Sequence, residues 1–202
     1  MRRYRVGLFD QEAPGGEPAF DGVAQLWFQS DEEYRAKWRT YIDGTESVKD
    51  LMSQHVEENL RLATREYVVL DGPREGLKIT TVLRPTAGVS SESFYGYWFG
   101  THAHKVKAAM ERACGEGRCR YSISVGAHQA THPAQPQLID WCVLVAALDP
   151  ERAAYGGVAE LWFPGAAERE AFASVFEDEP WLRIRDTEDY HSFVGSELVA
   201  IP

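Results

Sequence analysis

The feature that most constrains this chain is an internal repeat. The octad Asp21-Gly22-Val23-Ala24-Gln25-Leu26-Trp27-Phe28 returns as Gly156-Gly157-Val158-Ala159-Glu160-Leu161-Trp162-Phe163. In each copy one face carries Val, Gln or Glu, and Trp, while the other carries Ala, Leu and Phe. That alternation is the period of a strand. Each copy runs into a helix start. Ser30 with Glu33 forms a capping box after the first, and Pro164-Gly165 introduces a helical stretch over 166–176 after the second. A further strand closes each unit, over 65–70 and over 196–201, and another precedes it, over 4–9 and over 121–125. A β-α-β unit therefore occurs twice.

The second half holds more. Residues 77–83 read as a strand and 85–88 as a break. Ser90 or Ser91 then caps a helix running to about residue 113, ended by the turn Gly115-Glu116-Gly117. The full order β-α-β-β-α-β over 76–202 is the ferredoxin-like pattern. Residues 1–72 lack its first strand and first helix. The predicted organisation is thus α+β, a tandem repeat with an incomplete first unit. One strand, over 137–148, is surplus. A ferredoxin-like sheet places its first strand centrally, so this strand, or one from a partner chain, is expected to fill the gap.

Composition removes several functions. The chain has 202 residues, a net charge of −10 and 44% apolar residues. It is too apolar to be disordered and too acidic for a nucleic-acid binder. No apolar run spans a bilayer, and the first residues lack a secretory signal, so neither a membrane nor an exported location is expected. Cys114, Cys119 and Cys142 are odd in number and form no C-x-x-C. They are expected to be reduced thiols of a cytoplasmic protein. Phosphate-binding glycine motifs and a G-x-S-x-G elbow are absent.

Phe94-Tyr95-Gly96-Tyr97-Trp98-Phe99-Gly100-Thr101-His102-Ala103 resembles the F-x-x-Y-W-x-x-x-H-A/G signature of the EthD family. The two octads resemble its second signature, and Asp186-Thr187-Glu188-Asp189-Tyr190 its acidic-aromatic segment. The resemblance covers about 76–202, with a partial copy over 1–72. It implies a dimeric α+β barrel, two ferredoxin-like sheets face to face with helices outside. It does not imply one reaction, since similar folds serve isomerases, cyclases, dehydratases, cofactor-free monooxygenases and, more distantly, haem proteins. His104 stands where the family has Pro, and the first unit has no counterpart of the Trp98/His102 helix.

Trp98 and His102 are four residues apart and share a helical face with Phe94. That apolar stripe must face the sheet, so His102 points into the helix–sheet interface. Two readings stand there: a core histidine bonded to a carbonyl, or a general acid/base near neutrality. Glu160 shares its strand face with Val158 and Trp162, where a carboxylate is costly unless paired. It is either salt-bridged or the acid partner of His102, and Gln25 at the matching place carries no charge. Tyr97 is either a core aromatic or an oxyanion donor, and Asp140 is a lesser candidate. Phe94, Trp98, Trp141 and Trp162 are the expected aromatic walls of a pocket. His128 and His132 lie in a loop without further ligands, so no metal is expected.

Three functions compete. The leading one is a cofactor-independent enzyme of lyase, isomerase, dehydratase or cyclase type, acting on a small hydrophobic or aromatic molecule with His102 as proton shuttle and Glu160 or Tyr97 assisting. The second is oxygen activation, cofactor-free or with haem on a histidine. The third is a binding barrel without catalysis. A homodimer is expected in each case, because the unfinished first unit leaves strand edges to cover.

Overall fold

A computed structural model describes residues 3–12, 22–28, 30, 32–33, 36, 60–126, 140–146, 156–178 and 187–201. Eight strands appear in chain order: β1 (Arg3–Glu12), β2 (Gly22–Phe28), β3 (Leu60–Leu70), β4 (Leu77–Pro85), β5 (Arg120–Gly126), β6 (Asp140–Ala146), β7 (Gly157–Phe163) and β8 (Thr187–Ile201). They close into one barrel, β1-β2-β6-β3-β5-β7-β4-β8, with β8 returning to β1. Gly22–Phe28 of the first octad and Gly157–Phe163 of the second are strands, as their alternation predicts.

The surplus strand has a place. β6 pairs with β2 on one side and β3 on the other, both antiparallel. It therefore sits inside the sheet and not at an edge. β8-β4-β7-β5 follows the ferredoxin-like order of last, first, third and second strand. β6 occupies the central place that the early strands leave open. Every barrel strand is thus paired on both sides within one chain. The expectation of a homodimer drawn from uncovered edges loses its argument, because there is no edge to cover.

Two strands are longer than the sequence pattern predicts. β8 begins at Thr187 and not near 196, and β3 begins at Leu60 and not at 65. The cause is pairing. The early part of β8 bonds to β4 and its later part to β1. Ladder bonds hold acidic residues such as Asp189, paired with Arg84, extended despite their weak strand preference.

Helices cover one face of the second-half sheet. Ser90 caps α1 (Ser91–Tyr97), its hydroxyl accepting from the Ser93 amide at 3.2 Å. A π-helical turn over Trp98–His102 follows, with the Ala103 N–H reaching back five residues to the Trp98 carbonyl. α2 (Ala103–Cys114) continues to Gly115, whose φ of 82° ends it. The predicted helix is therefore present but not uniform. α3 (Ala166–Asp178) packs against α2. Ser30 caps the segment after β2, accepting from the Glu33 amide at 3.1 Å. Among the described residues no helix is long and apolar enough to cross a membrane.

Between helices and sheet lies a core of Tyr67, Leu83, Phe94, Tyr95, Trp98, Phe99, Val106, Met110, Tyr121, Ile123, Ala159, Leu161 and Phe163, among others. Burying each such side chain contributes about 1.5–3 kcal/mol. Cys114 and Cys119 are joined in a disulfide, with their Cα atoms 6.1 Å apart. The expectation of free thiols fails for these two, and with it the thiol argument for a cytoplasmic location. The glycine turn after α2 folds the chain back and brings them within bridging reach.

The second octad opens on two glycines, and packing explains them. A Cβ on Gly157 would lie 2.4 Å from the Ser124 carbonyl oxygen and 3.0 Å from the Trp98 ring. Gly157→Ala is therefore expected to lower stability by about 1–3 kcal/mol, measured as a shift in urea midpoint. Gly165→Ala meets only the Glu168 side chain at 3.6 Å. It should change stability by no more than about 0.5 kcal/mol.

Candidate functional site

The strand period splits the predicted residues between two places. On β7, Ala159, Leu161 and Phe163 join the helix-side core, so Glu160 and Trp162 face the barrel interior. Phe94, Trp98 and His102 belong to the helix layer outside the sheet. The structure brings Phe94, Tyr97, Trp98 and His102 together and puts Glu160 and Trp162 elsewhere.

On the helix side, His102 is buried, with 4% of its surface exposed, and closes the π-turn. Such a turn inserts one residue into the helical ladder and is frequent at functional sites. The Tyr97 ring lies 6.4 Å from the imidazole. Trp98 stacks on Phe99 and Tyr95 and meets Phe94 at 5.5 Å. Tyr95 donates its hydroxyl to the Gly156 carbonyl at 2.5 Å. Burial pushes the Tyr95 and Tyr121 phenols well above their ordinary pKa, the Trp98 indole beside Tyr121 opposing this weakly. Both therefore stay protonated donors at neutral pH. Tyr121 and Tyr95 escaped the sequence reading because a tyrosine in a strand or helix reads first as core. Gly100 inside an apolar helix is the one signal that the helix is irregular there.

Inside the barrel, the two octads meet. β2 and β7 stand on opposite walls of the ring. Gln25, at the position matching Glu160, donates its amide to Glu160 Oε2 at 2.8 Å. Lys78 Nζ lies 2.5 Å from Glu160 Oε1 and 2.9 Å from Glu197 Oε1, and donates to Gln25 Oε1 at 3.2 Å. Arg5 adds a second cation 2.5 Å from Glu197. The role of Glu160 as partner of His102 is thereby corrected. Its carboxylate is taken up by an ammonium and an amide on the opposite side of the sheet. The absence of charge at Gln25 also has a cause. A second carboxylate there would face Glu160 across the axis in a medium that screens poorly.

The matching tryptophans pair in the same way. The Arg74 guanidinium carbon lies 5.1 Å from the Trp27 ring centroid and 5.0 Å from that of Trp162, a cation between two indole faces. Arg74 is also ion-paired with Glu66, which accepts from Trp27 Nε1 at 2.7 Å. Arg120 reaches Asp71 at 2.5 Å at the barrel end. The sequence reading passed over Arg5, Glu66, Arg74, Lys78, Arg120 and Glu197. For all but Arg74, which lies between β3 and β4, the signal was a polar residue at every second place of an apolar strand, which marks a solvent face or a barrel lumen equally well.

Trp141 and Asp140 begin β6, and their side chains lie outside the described set. His128, His132 and Asp186 lie outside the described residues. Among the described residues no three His, Cys, Asp or Glu side chains gather as metal ligands.

The electrostatics of the interior set its pH response. Burial opposes charge on Glu197, but Lys78 and Arg5 outweigh it and hold its pKa below the ordinary 4.5. Burial likewise opposes charge on Lys78, and Glu160 and Glu197 outweigh it, so its pKa is raised above 10.5. A lowered carboxylate stabilises the fold above its unfolded pKa, and that stability is lost as pH falls through the folded value. Urea unfolding of the wild type should therefore show falling stability below about pH 4.5. Lys78→Met leaves Glu160 and Glu197 buried with fewer cations. It should cost about 3–5 kcal/mol at pH 7. It should also make the loss of stability toward low pH shallower, because Glu197 then keeps only Arg5 of the two cations that hold its pKa down.

The comparisons with known proteins come to one positive finding. The EthD domain profile matches residues 86–195. No curated protein and no solved structure matches the chain. The match takes in α1, the π-turn, α2, β5, β6, β7, α3 and most of β8. With more than half of the chain matched, and an α+β barrel built around those elements, this protein belongs to the EthD family.

Proposed function

We propose that this α+β barrel acts on a small hydrophobic or aromatic molecule by general acid–base catalysis, without a cofactor, in a lyase, isomerase, dehydratase or cyclase reaction. The observation that supports the reading most is the buried imidazole of His102. It is held on a π-turn, among aromatic rings, with the Tyr97 phenol ring 6.4 Å away. Phe94 and Trp98, on the same helical stretch as His102, are the aromatic faces that a flat apolar substrate would meet. Trp162 drops out of that wall because it faces the lumen, while the side chain of Trp141 lies outside the described residues.

The chemistry follows from the groups. A proton on carbon next to a carbonyl passes to a neutral His102 ring nitrogen. The C–H electron pair becomes the enolate double bond, and the charge moves to oxygen. A phenol such as Tyr97 stabilises that oxygen by hydrogen bonding. His102 then returns the proton to another carbon in an isomerisation, or to a departing hydroxyl, which leaves as water. Glu160 takes no part.

Solvent-exchange NMR tests this with 2-tetralone, an aromatic ketone, in deuterated buffer. The wild type should speed α-proton exchange above the buffer rate. His102→Gln should lose about a hundredfold or more of that acceleration. Tyr97→Phe should lose less, about tenfold, since one neutral donor is removed. Exchange by a folded His102→Gln variant at the wild-type rate would overturn the assignment.

A further inference from the structure

The lumen contains more polar groups than the ion pairs use. Trp162 Nε1, Arg120 Nε, Thr80 Oγ1, Ser122 Oγ and Ser124 Oγ are buried and have no hydrogen-bond partner among the described residues. Strand register gathers them. Across β7, Trp162 stands between Lys78 on β4 and Arg120 on β5, and Glu160 stands between Thr80 and Ser122. Ser124 is next along the same face of β5. Thr80, Ser122, Ser124 and Trp162 are each no more than 1% exposed. Leaving such groups unmet costs about 1–3 kcal/mol apiece, so five in one corner require an explanation.

Their chemistry is one-sided. The indole N–H and the guanidinium Nε–H can only donate, and the three hydroxyls can donate as well. Glu160 stands between Thr80 and Ser122 in register, but its Oε1 is ion-paired with Lys78 and its Oε2 takes the Gln25 amide, so donors outnumber acceptors here. Arg120 already gives NH1 to Asp71, whose side chain is 85% exposed at the barrel end. The Arg120 Nε–H is left buried without a hydrogen-bond partner among the described residues, and a guanidinium N–H is a donor suited to a carboxylate. Burial and the nearby Arg74 both act against the Arg120 charge, with Glu66 and Asp71 only partly compensating. An additional anion relieves that. Thr80, Ser122 and Ser124 are the small inward side chains beside the larger Trp162, Arg120 and Lys78, and an eight-stranded barrel is just wide enough to hold either filling side chains or one small ligand.

We propose that this corner of the barrel lumen binds a small carboxylate, with Arg120 and Trp162 as donors to its oxygens and Ser122, Ser124 and Thr80 completing the shell. It is a second site, on the opposite face of the sheet from His102, and does not depend on the acid–base reading.

Calorimetric titration of the intact protein with sodium acetate, against matched sodium chloride, tests it. Saturable binding at one site is expected. Trp162→Phe keeps the ring and removes the N–H, and should weaken binding at least fivefold. Ser122→Ala should do the same with little loss of stability. His102→Gln should leave the acetate affinity unchanged, which separates this site from the helix-side one. Acetate binding that does not saturate, or that both folded variants retain in full, overturns the proposal. Should either variant fail to fold, a crystal of the wild type grown with acetate decides. Acetate against Arg120 Nε and Trp162 Nε1 supports the site, and ordered water alone overturns it.

Discussion

Closing eight strands into a ring gives every strand one face toward a shared lumen and one face away from it. That constraint governs the rest of the molecule. Along β7 it sends Ala159, Leu161 and Phe163 to the helices, and Val158, Glu160 and Trp162 to the axis. Along β5 it sends Tyr121, Ile123 and Val125 outward, and Arg120, Ser122 and Ser124 inward. An apolar layer and a polar layer thus share the same backbone, separated by the thickness of one sheet. Any account of function must say on which side a residue lies before it says what the residue does.

The polar layer is held by charge and not by packing alone. Lys78 touches two carboxylates and an amide contributed by three different strands. Gln25 reaches across the axis to Glu160 with its N–H and accepts from Lys78 with its oxygen. An amide is the side chain that can do both at once. Ion pairs so deeply placed add little net stability compared with a well-packed apolar core. They do penalise any arrangement that separates their members, and so tie the early strands β1 and β2 to the later β4, β7 and β8.

Much of this was legible in the sequence. The octads announced β2 and β7, Ser90 announced the start of α1, and the surplus strand was expected at the centre of the early sheet, where β6 stands. The burial of His102 followed from its spacing to Trp98. What the sequence could not give is which of two faces of a strand is wet. R-Y-S-I-S-V over 120–125 alternates cleanly, yet alternation is the same for a solvent face and for a lumen. For that reason Glu160 was set beside His102, when the sheet lies between them. The π-turn was equally invisible, since a shift from four to five residues in the hydrogen-bond ladder leaves no compositional mark beyond Gly100. The Cys114–Cys119 link was missed because counting cysteines ignores the turn that joins them.

The place of β6 has a consequence for how the chain is made. β1, β2 and β3 emerge early, but the strand that must lie between β2 and β3 is encoded only at Asp140–Ala146, after β4 and β5. The N-terminal third cannot complete its hydrogen-bonding on its own during synthesis. It must wait, with β2 and β3 separated, until later sequence leaves the ribosome. Assembly is therefore interlaced and not sequential, and a cut between the halves yields no fragment with a finished sheet from the first.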